Sequence, residues 1–105
     1  MPLAVLATLT MSVLASAPVC LVTDFSASPN PIPSAGLHET TINVNANCFY
    51  DVRIGGPAGQ VFFTGGGIAS ATTGPWVTTG MTFYLQLHGD ATTAGTIGNL
   101  SVAIK

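Results

Sequence analysis

From Leu3 to Ala15 every odd position is apolar (Leu3, Val5, Ala7, Leu9, Met11, Val13 and Ala15), while Thr8, Thr10 and Ser12 hold three of the even ones. A period of two is that of an extended strand with one apolar face. Pro18 to Ala27 continues as a strand with Leu21, Thr23 and Phe25 on one side. The run Ser28-Pro29-Asn30-Pro31-Ile32-Pro33-Ser34-Ala35-Gly36 then interrupts it. Its three prolines remove backbone donors and hold the chain extended, which predicts a linking bend along a sheet edge. Alternation returns from Glu39 to Asn47, with Ile42, Val44 and Ala46 inward, and again from Phe49 to Ile54, with Tyr50, Val52 and Ile54 inward and Asp51 and Arg53 outward.

A glycine-rich turn from Gly55 to Gly59 leads to a strand from Gln60 to Thr64, which Gly65-Gly66-Gly67 ends, and a weaker strand follows from Ile68 to Thr72. Trp76 sits in the bend from Thr73 to Gly80. Met81 to His88 alternates most cleanly, with Met81, Phe83, Leu85 and Leu87 opposite Thr82, Tyr84, Gln86 and His88. After a turn from Gly89 to Gly95, Leu100, Val102 and Ile104 alternate with Asn99, Ser101 and Ala103. No segment carries a helical period. Short strands with turn signals every ~8 to 12 residues predict an all-β sandwich of about seven antiparallel strands. Its core is expected around Trp76, Phe83 and the aromatic residues from Phe49 to Phe63.

The opening segment changes what this fold is for. Residues 1–23 have no charged side chain, and an apolar strand face does not stay unpaired in water. We therefore read residues 1–19 as a partner-binding arm, with Leu3, Val5, Leu9, Met11 and Val13 as its contact residues, and residues 20–105 as the sandwich. Ala15-Ser16-Ala17 has the small-x-small form of a signal cleavage site and supplies the competing reading, a secretion signal. Against that stand the lack of Lys or Arg before the apolar run and Pro18 directly after the cut. The run is interrupted by Thr and Ser and falls short of the ~20 residues of a membrane helix, so no span is expected.

Charge narrows the partners. Two basic and four acidic residues cannot neutralise a useful number of phosphates, which argues against nucleic acid and anionic membranes. So charge-poor a surface is one that neighbours cover, leaving protein or a neutral sugar. Cys20 and Cys48 are the only cysteines. A secreted sandwich would bridge them if adjacent strands carry them, whereas a cytoplasmically assembled one would bury them reduced, and both readings stay open.

The runs Ala27-Ser28-Pro29-Asn30-Pro31-Ile32, Thr40-Thr41-Ile42 and Tyr50-Asp51-Val52-Arg53-Ile54 resemble a bacterial immunoglobulin-like or fibronectin-like module. The runs Ala71-Thr72-Thr73-Gly74, Trp76-Val77 and Gly80-Met81-Thr82-Phe83-Tyr84-Leu85 are similar to the same type, so the resemblance extends from Phe25 to Lys105. One departure is Val44, which stands where many such modules carry a core tryptophan. The resemblance implies an immunoglobulin-like sandwich, of the kind appended to bacterial surface proteins and enzymes or used to decorate tailed-phage capsids.

No catalytic constellation is legible. His38 and His88 lie in no orienting motif, and Asp24, Glu39, Asp51 and Asp90 fall on different elements. Gly65-Gly66-Gly67 lacks the Lys and the helix of a phosphate loop, and the sequon Asn99-Leu100-Ser101 falls inside a predicted strand. Trp76 and Tyr84, with Tyr50, are the candidates for a surface aromatic contact to a neutral sugar. We expect no enzyme, cofactor or metal.

The leading expectation is a capsid decoration, or cement, protein on the outer surface of a phage virion. Its arm would add a strand to the major capsid protein or to a neighbouring copy, as in a trimer at a local three-fold position. The alternatives are a secreted surface or filament subunit assembling by strand complementation, and an exported carbohydrate-binding or adhesion module with a cleaved signal.

Overall fold

Two of the three breaks that the pattern places within residues 39–72, at Asn47–Cys48 and at Gly65–Gly67, are kinks in continuous strands. The computed structural model describes residues 20–105 and forms β1 (Val22–Ser28), β2 (Thr41–Ile54), β3 (Gln60–Thr72), β4 (Met81–Leu87) and β5 (Thr96–Val102), with a 3-10 turn at Thr93–Gly95. The expected strands 39–47 and 49–54 fuse into the 14 residues of β2, and 60–64 and 68–72 into the 13 of β3. Five antiparallel strands among the described residues thus replace the seven expected.

Glycine makes the fusion possible. β2 and β3 pair from Thr41 opposite Thr72 to Ile54 opposite Gln60, with a bulge where Ala46 faces Gly67 but Phe49 faces Gly66. Gly67 takes φ +66°, and a Cβ on Gly66 would lie 2.7 Å from Phe49 Cδ1. A run of glycines read as a strand terminator instead lets the strand bend and the Phe49 ring lie close on its neighbour.

The kink also divides the opposite edge of β2. Residues 41–46 pair there with β1 and residues 50–54 with β4, which carries β5 on its far side. Two neighbours on one edge make the sheet curl into a half-barrel. β1 then meets β5, where a Cβ on Gly98 would come within 3.2 Å of Phe25 Cδ2.

The proline-rich bend closes that seam, as an edge-following link should. Ile32 N–H donates to Ala103 O and Lys105 N–H to Ile32 O, each at 2.8 Å, and Ser34 N–H donates to Lys105 O at 2.8 Å. Pro29, Pro31 and Pro33 occupy the alternate positions, where the missing donor faces away from β5. The Asn30 side chain adds two bonds, Nδ2 to Ser101 O at 3.0 Å and Oδ1 from Ala103 N–H at 3.1 Å.

Inside the curl lie Ile42, Val44, Ala46, Tyr50 and Val52 of β2, Phe83 and Leu85 of β4, Val102 of β5, Ile32 of the bend and Val77. The even positions of β2 and odd positions of β4 are those the alternation assigns to the core. Three expectations need correction. Trp76 is 43% exposed, because Val77 takes the buried place and the indole rests edge-on against Phe62, ring centroids 5.8 Å apart. Phe49 is 75% exposed, being an odd residue on the outer face of β2. On β1 a register shift between Val22 and Asp24 flips the parity, so Val22, Phe25 and Ala27 pack inward while Leu21 and Thr23 are exposed.

Candidate functional site

The expected arm contacts Leu3, Val5, Leu9, Met11 and Val13 lie outside the described residues. The cysteines are placed at the centre of the fold's main irregularity. Asn47 N–H donates to Leu21 O at 3.1 Å, and Asn47 Oδ1 accepts from Leu21 N–H at 2.7 Å, which fixes the chain leading into β1 beside the β2 kink. Cys20 and Cys48 are there joined in a disulfide, with Cα atoms 5.5 Å apart. The bridge ties the start of β1 to the point where β2 changes partner from β1 to β4.

Trp76 and Tyr84 are not brought together. Tyr84 is an even residue of β4, opposite Arg53 and Asn99, on the side away from Phe83. Trp76 belongs to a cluster on the other side, in which Phe62 packs against Phe63, Trp76 and Phe83 at centroid distances of 5.4, 5.8 and 6.0 Å. A sugar platform shared by Trp76 and Tyr84 is therefore not formed. Tyr50, the third aromatic named, is buried and donates its hydroxyl to Gly67 O at 2.9 Å, and burial raises its pKa.

Asp51 is the one carboxylate among the described residues that the fold encloses, though alternation points it outward. It is only 3% exposed because the turn after β4 folds over it. Its carboxylate accepts from Thr64 Oγ1 at 2.7 Å, His88 Nδ1 at 2.9 Å and Gly89 N–H at 2.9 Å, and Arg53 approaches to 3.6 Å. Burial alone would raise the carboxyl; hydrogen bonds from Gly89, His88 and Thr64 and the charge on His88 outweigh it and hold it below the usual aspartate value. An aspartate orienting an exposed histidine supplies two of the three members of a hydrolytic triad, but among the described residues no hydrogen bond reaches His88 Nε2. The cluster reads as a clasp holding the β4–β5 turn onto β2 and β3.

That clasp makes stability depend on acid. Since the folded carboxyl lies below its unfolded value, its contribution is present above about pH 4 and lost as pH falls through the folded value. Asp51→Asn is expected to lose about 1.5–3 kcal/mol at neutral pH and to flatten this acid limb. Urea unfolding between about pH 2 and 7 checks both effects; an unchanged acid limb in the variant contradicts the assignment.

Gln86, which alternation places on the polar side of β4, is also enclosed. Its Nε2 donates to Asp90 O at 3.0 Å and Thr92 O at 2.8 Å, and its Oε1 accepts from Thr96 Oγ1. His38 Nε2 donates to Ser34 O at 3.1 Å, a bond back to the end of the proline bend. Among the described residues no three His, Cys, Asp or Glu side chains converge as metal ligands.

What remains open to a partner is the outer side of β3. Among the described residues β3 pairs only with β2, so the whole length of its second edge is free, whereas the proline bend covers the end of β5 and β1 lies against β5. The strand contains no charged residue and no proline, the usual guards of an exposed edge, and Val61 and Ile68 stand exposed on it. Sequence reading did not single out this edge, because it divided β3 into two short pieces. Compared with protein-family models, curated proteins and solved structures, the chain matches none.

Proposed function

We propose that the chain is a structural assembly module on an immunoglobulin-like scaffold, attaching to other protein subunits by strand addition. The unguarded outer edge of β3 carries this reading. An extended segment laid along it gains a row of main-chain hydrogen bonds, and Val61 and Ile68 offer apolar contacts for register. The uncharged, alternating arm expected in residues 3–15 has the pattern such an edge accepts.

Two settings fit, a decorated phage capsid and a secreted surface filament. The Cys20–Cys48 bridge favours the secreted one, because disulfides form and persist in oxidising compartments. Sedimentation velocity of the full chain tests the reading. We expect concentration-dependent association, abolished by Val61→Lys, which places a charge on the exposed edge of β3 while changing stability by no more than about 0.5 kcal/mol. A wild-type chain that stays monomeric, or a variant that still associates, overturns it. Intact mass of native material then separates the settings. Loss of residues 1–17 supports secretion, and a full-length chain supports capsid decoration through the arm.

A further inference from the structure

Asparagine is a poor strand former, yet β2 presents Asn43, Asn45 and Asn47 at three successive outward positions. Pairing extends Asn43 and Asn45 each into a row across the outer face of β1, β2 and β3. Ser26, Asn43 and Ser70 form one row, and Asp24, Asn45 and Ile68 the next. Directly opposed residues share a face, so these side chains project together from neighbouring strands about 4.8 Å apart.

Among the described residues the side-chain bonds here are Leu21 N–H to Asn47 Oδ1 at 2.7 Å and Thr41 Oγ1 with Thr72 Oγ1 at 2.9 Å at the two ends, and Thr23 Oγ1 to the main-chain Asn45 O at 3.2 Å. Between them, among the described residues, the amides of Asn43 and Asn45 and the carboxylate of Asp24 make no side-chain hydrogen bond. They line a groove of about 460 Å³ together with Ile68 and Ser70. Further along β2 it is followed by an apolar hollow of about 420 Å³ beside Phe49, Gly66 and Gly67, where the Phe49 ring is 75% exposed.

We propose that this groove binds a neutral glycan. An amide offers two donors and an acceptor in one plane, suited to adjacent sugar hydroxyls, and Ser26 and Ser70 add single hydroxyls on either side. The apolar C–H face of a sugar ring packs on an aromatic such as Phe49 or on Ile68. The groove is of ligand-site size, and its one ionisable side chain, Asp24, repels acidic sugars. The site uses side chains of the outer face, Ile68 among them, rather than the main-chain groups of the β3 edge, and does not depend on assembly.

The test is affinity electrophoresis of the full chain through gels containing mixed-linkage β-glucan, galactomannan, dextran or polygalacturonate. At least one neutral polymer is expected to retard the wild type, and polygalacturonate is not. Asn43→Ala/Asn45→Ala and Phe49→Ala are each expected to weaken binding at least tenfold with the melting temperature kept, while Trp76→Ala binds as wild type. Because these side chains are exposed or half-buried rather than core, circular dichroism should show an unchanged fold. Failure of every neutral polymer to retard the chain, retention of binding in Asn43→Ala/Asn45→Ala, or loss of it in Trp76→Ala overturns the proposal. The edge variant Val61→Lys, whose substituted residue lies outside the groove lining, is expected to bind glycan normally, which keeps this outcome separate from that of the assembly reading.

Discussion

Replacing Cys20 and Cys48 together by serine is expected to destabilise the domain by about 3–4 kcal/mol. The bridge spans a sequence separation of 28 residues, and closing a loop of that size removes unfolded-chain entropy of this order. For a domain of this size such a loss corresponds to a fall in melting temperature of roughly 12–30 °C. A small domain has only about 5–15 kcal/mol in total, so the reduced protein approaches the margin of folding at body temperature. The position of the bridge adds to the effect. Asn47 and Cys48 lack partners on β3 at the bulge, and the segment leading into β1 is held there by Asn47 and the disulfide. Without the covalent tie, β1 should fray from its start. Thermal melts of wild type, wild type with reductant and Cys20→Ser/Cys48→Ser check this. A wild-type melt indifferent to reductant, under conditions where free thiols are confirmed, contradicts it. The same result bears on setting, since a domain this dependent on its bridge is poorly suited to a reducing cytoplasm.

Faces were more legible in the sequence than connectivity. Period-two alternation identifies the apolar core face of β2 and β4, because a half-buried antiparallel strand must alternate, and misses only the enclosure of Asp51 and Gln86 on the other side. The prolines of residues 29–33 also announced an edge-following link, since their missing donors leave them only that role. The errors share one cause. At Gly65-Gly66-Gly67 and at Asn47-Cys48 a local signal for ending a strand is overridden by pairing with a neighbour distant in sequence, and the strand bends instead. A one-residue shift near Thr23 likewise inverts the faces of β1, which local pattern cannot reveal.

The candidate sites were less legible for a related reason. The enclosure of Asp51 depends on a turn 38 residues away folding over it, and the groove on the outer face depends on three strands placing Asp24, Asn45 and Ile68 in one row. Cysteine count offered the bridge only as one of two readings; adjacency of residues 20 and 48 is a property of the kink. The missing charges in residues 60–72 were visible, but they become informative only once β3 is known to be an unpaired edge.

Phe83→Ala is expected to cost about 3–5 kcal/mol, the range for deleting a fully buried aromatic ring. Phe83 stands opposite Ile54 of β2 and Leu100 of β5, and its ring meets Phe62 of β3 at 6.0 Å, so one side chain joins four strands. Trp76, the residue that composition alone favours as the core plug, is the control. It is partly exposed and touches this cluster only through Phe62, so Trp76→Ala should cost about 0.5–1.5 kcal/mol beyond a modest loss of buried area. Urea denaturation of the two variants decides between them, with the larger midpoint shift in Phe83→Ala. Equal shifts would mean that the indole anchors the aromatic cluster after all. The expected order has a functional consequence. Phe62 lies in β3 where its register with β2 slips between Val52 and Arg53, beside exposed Val61. Losing the ring beneath it should loosen this end of β3, and so weaken strand addition in proportion to the stability lost, whereas Trp76→Ala should leave the edge competent.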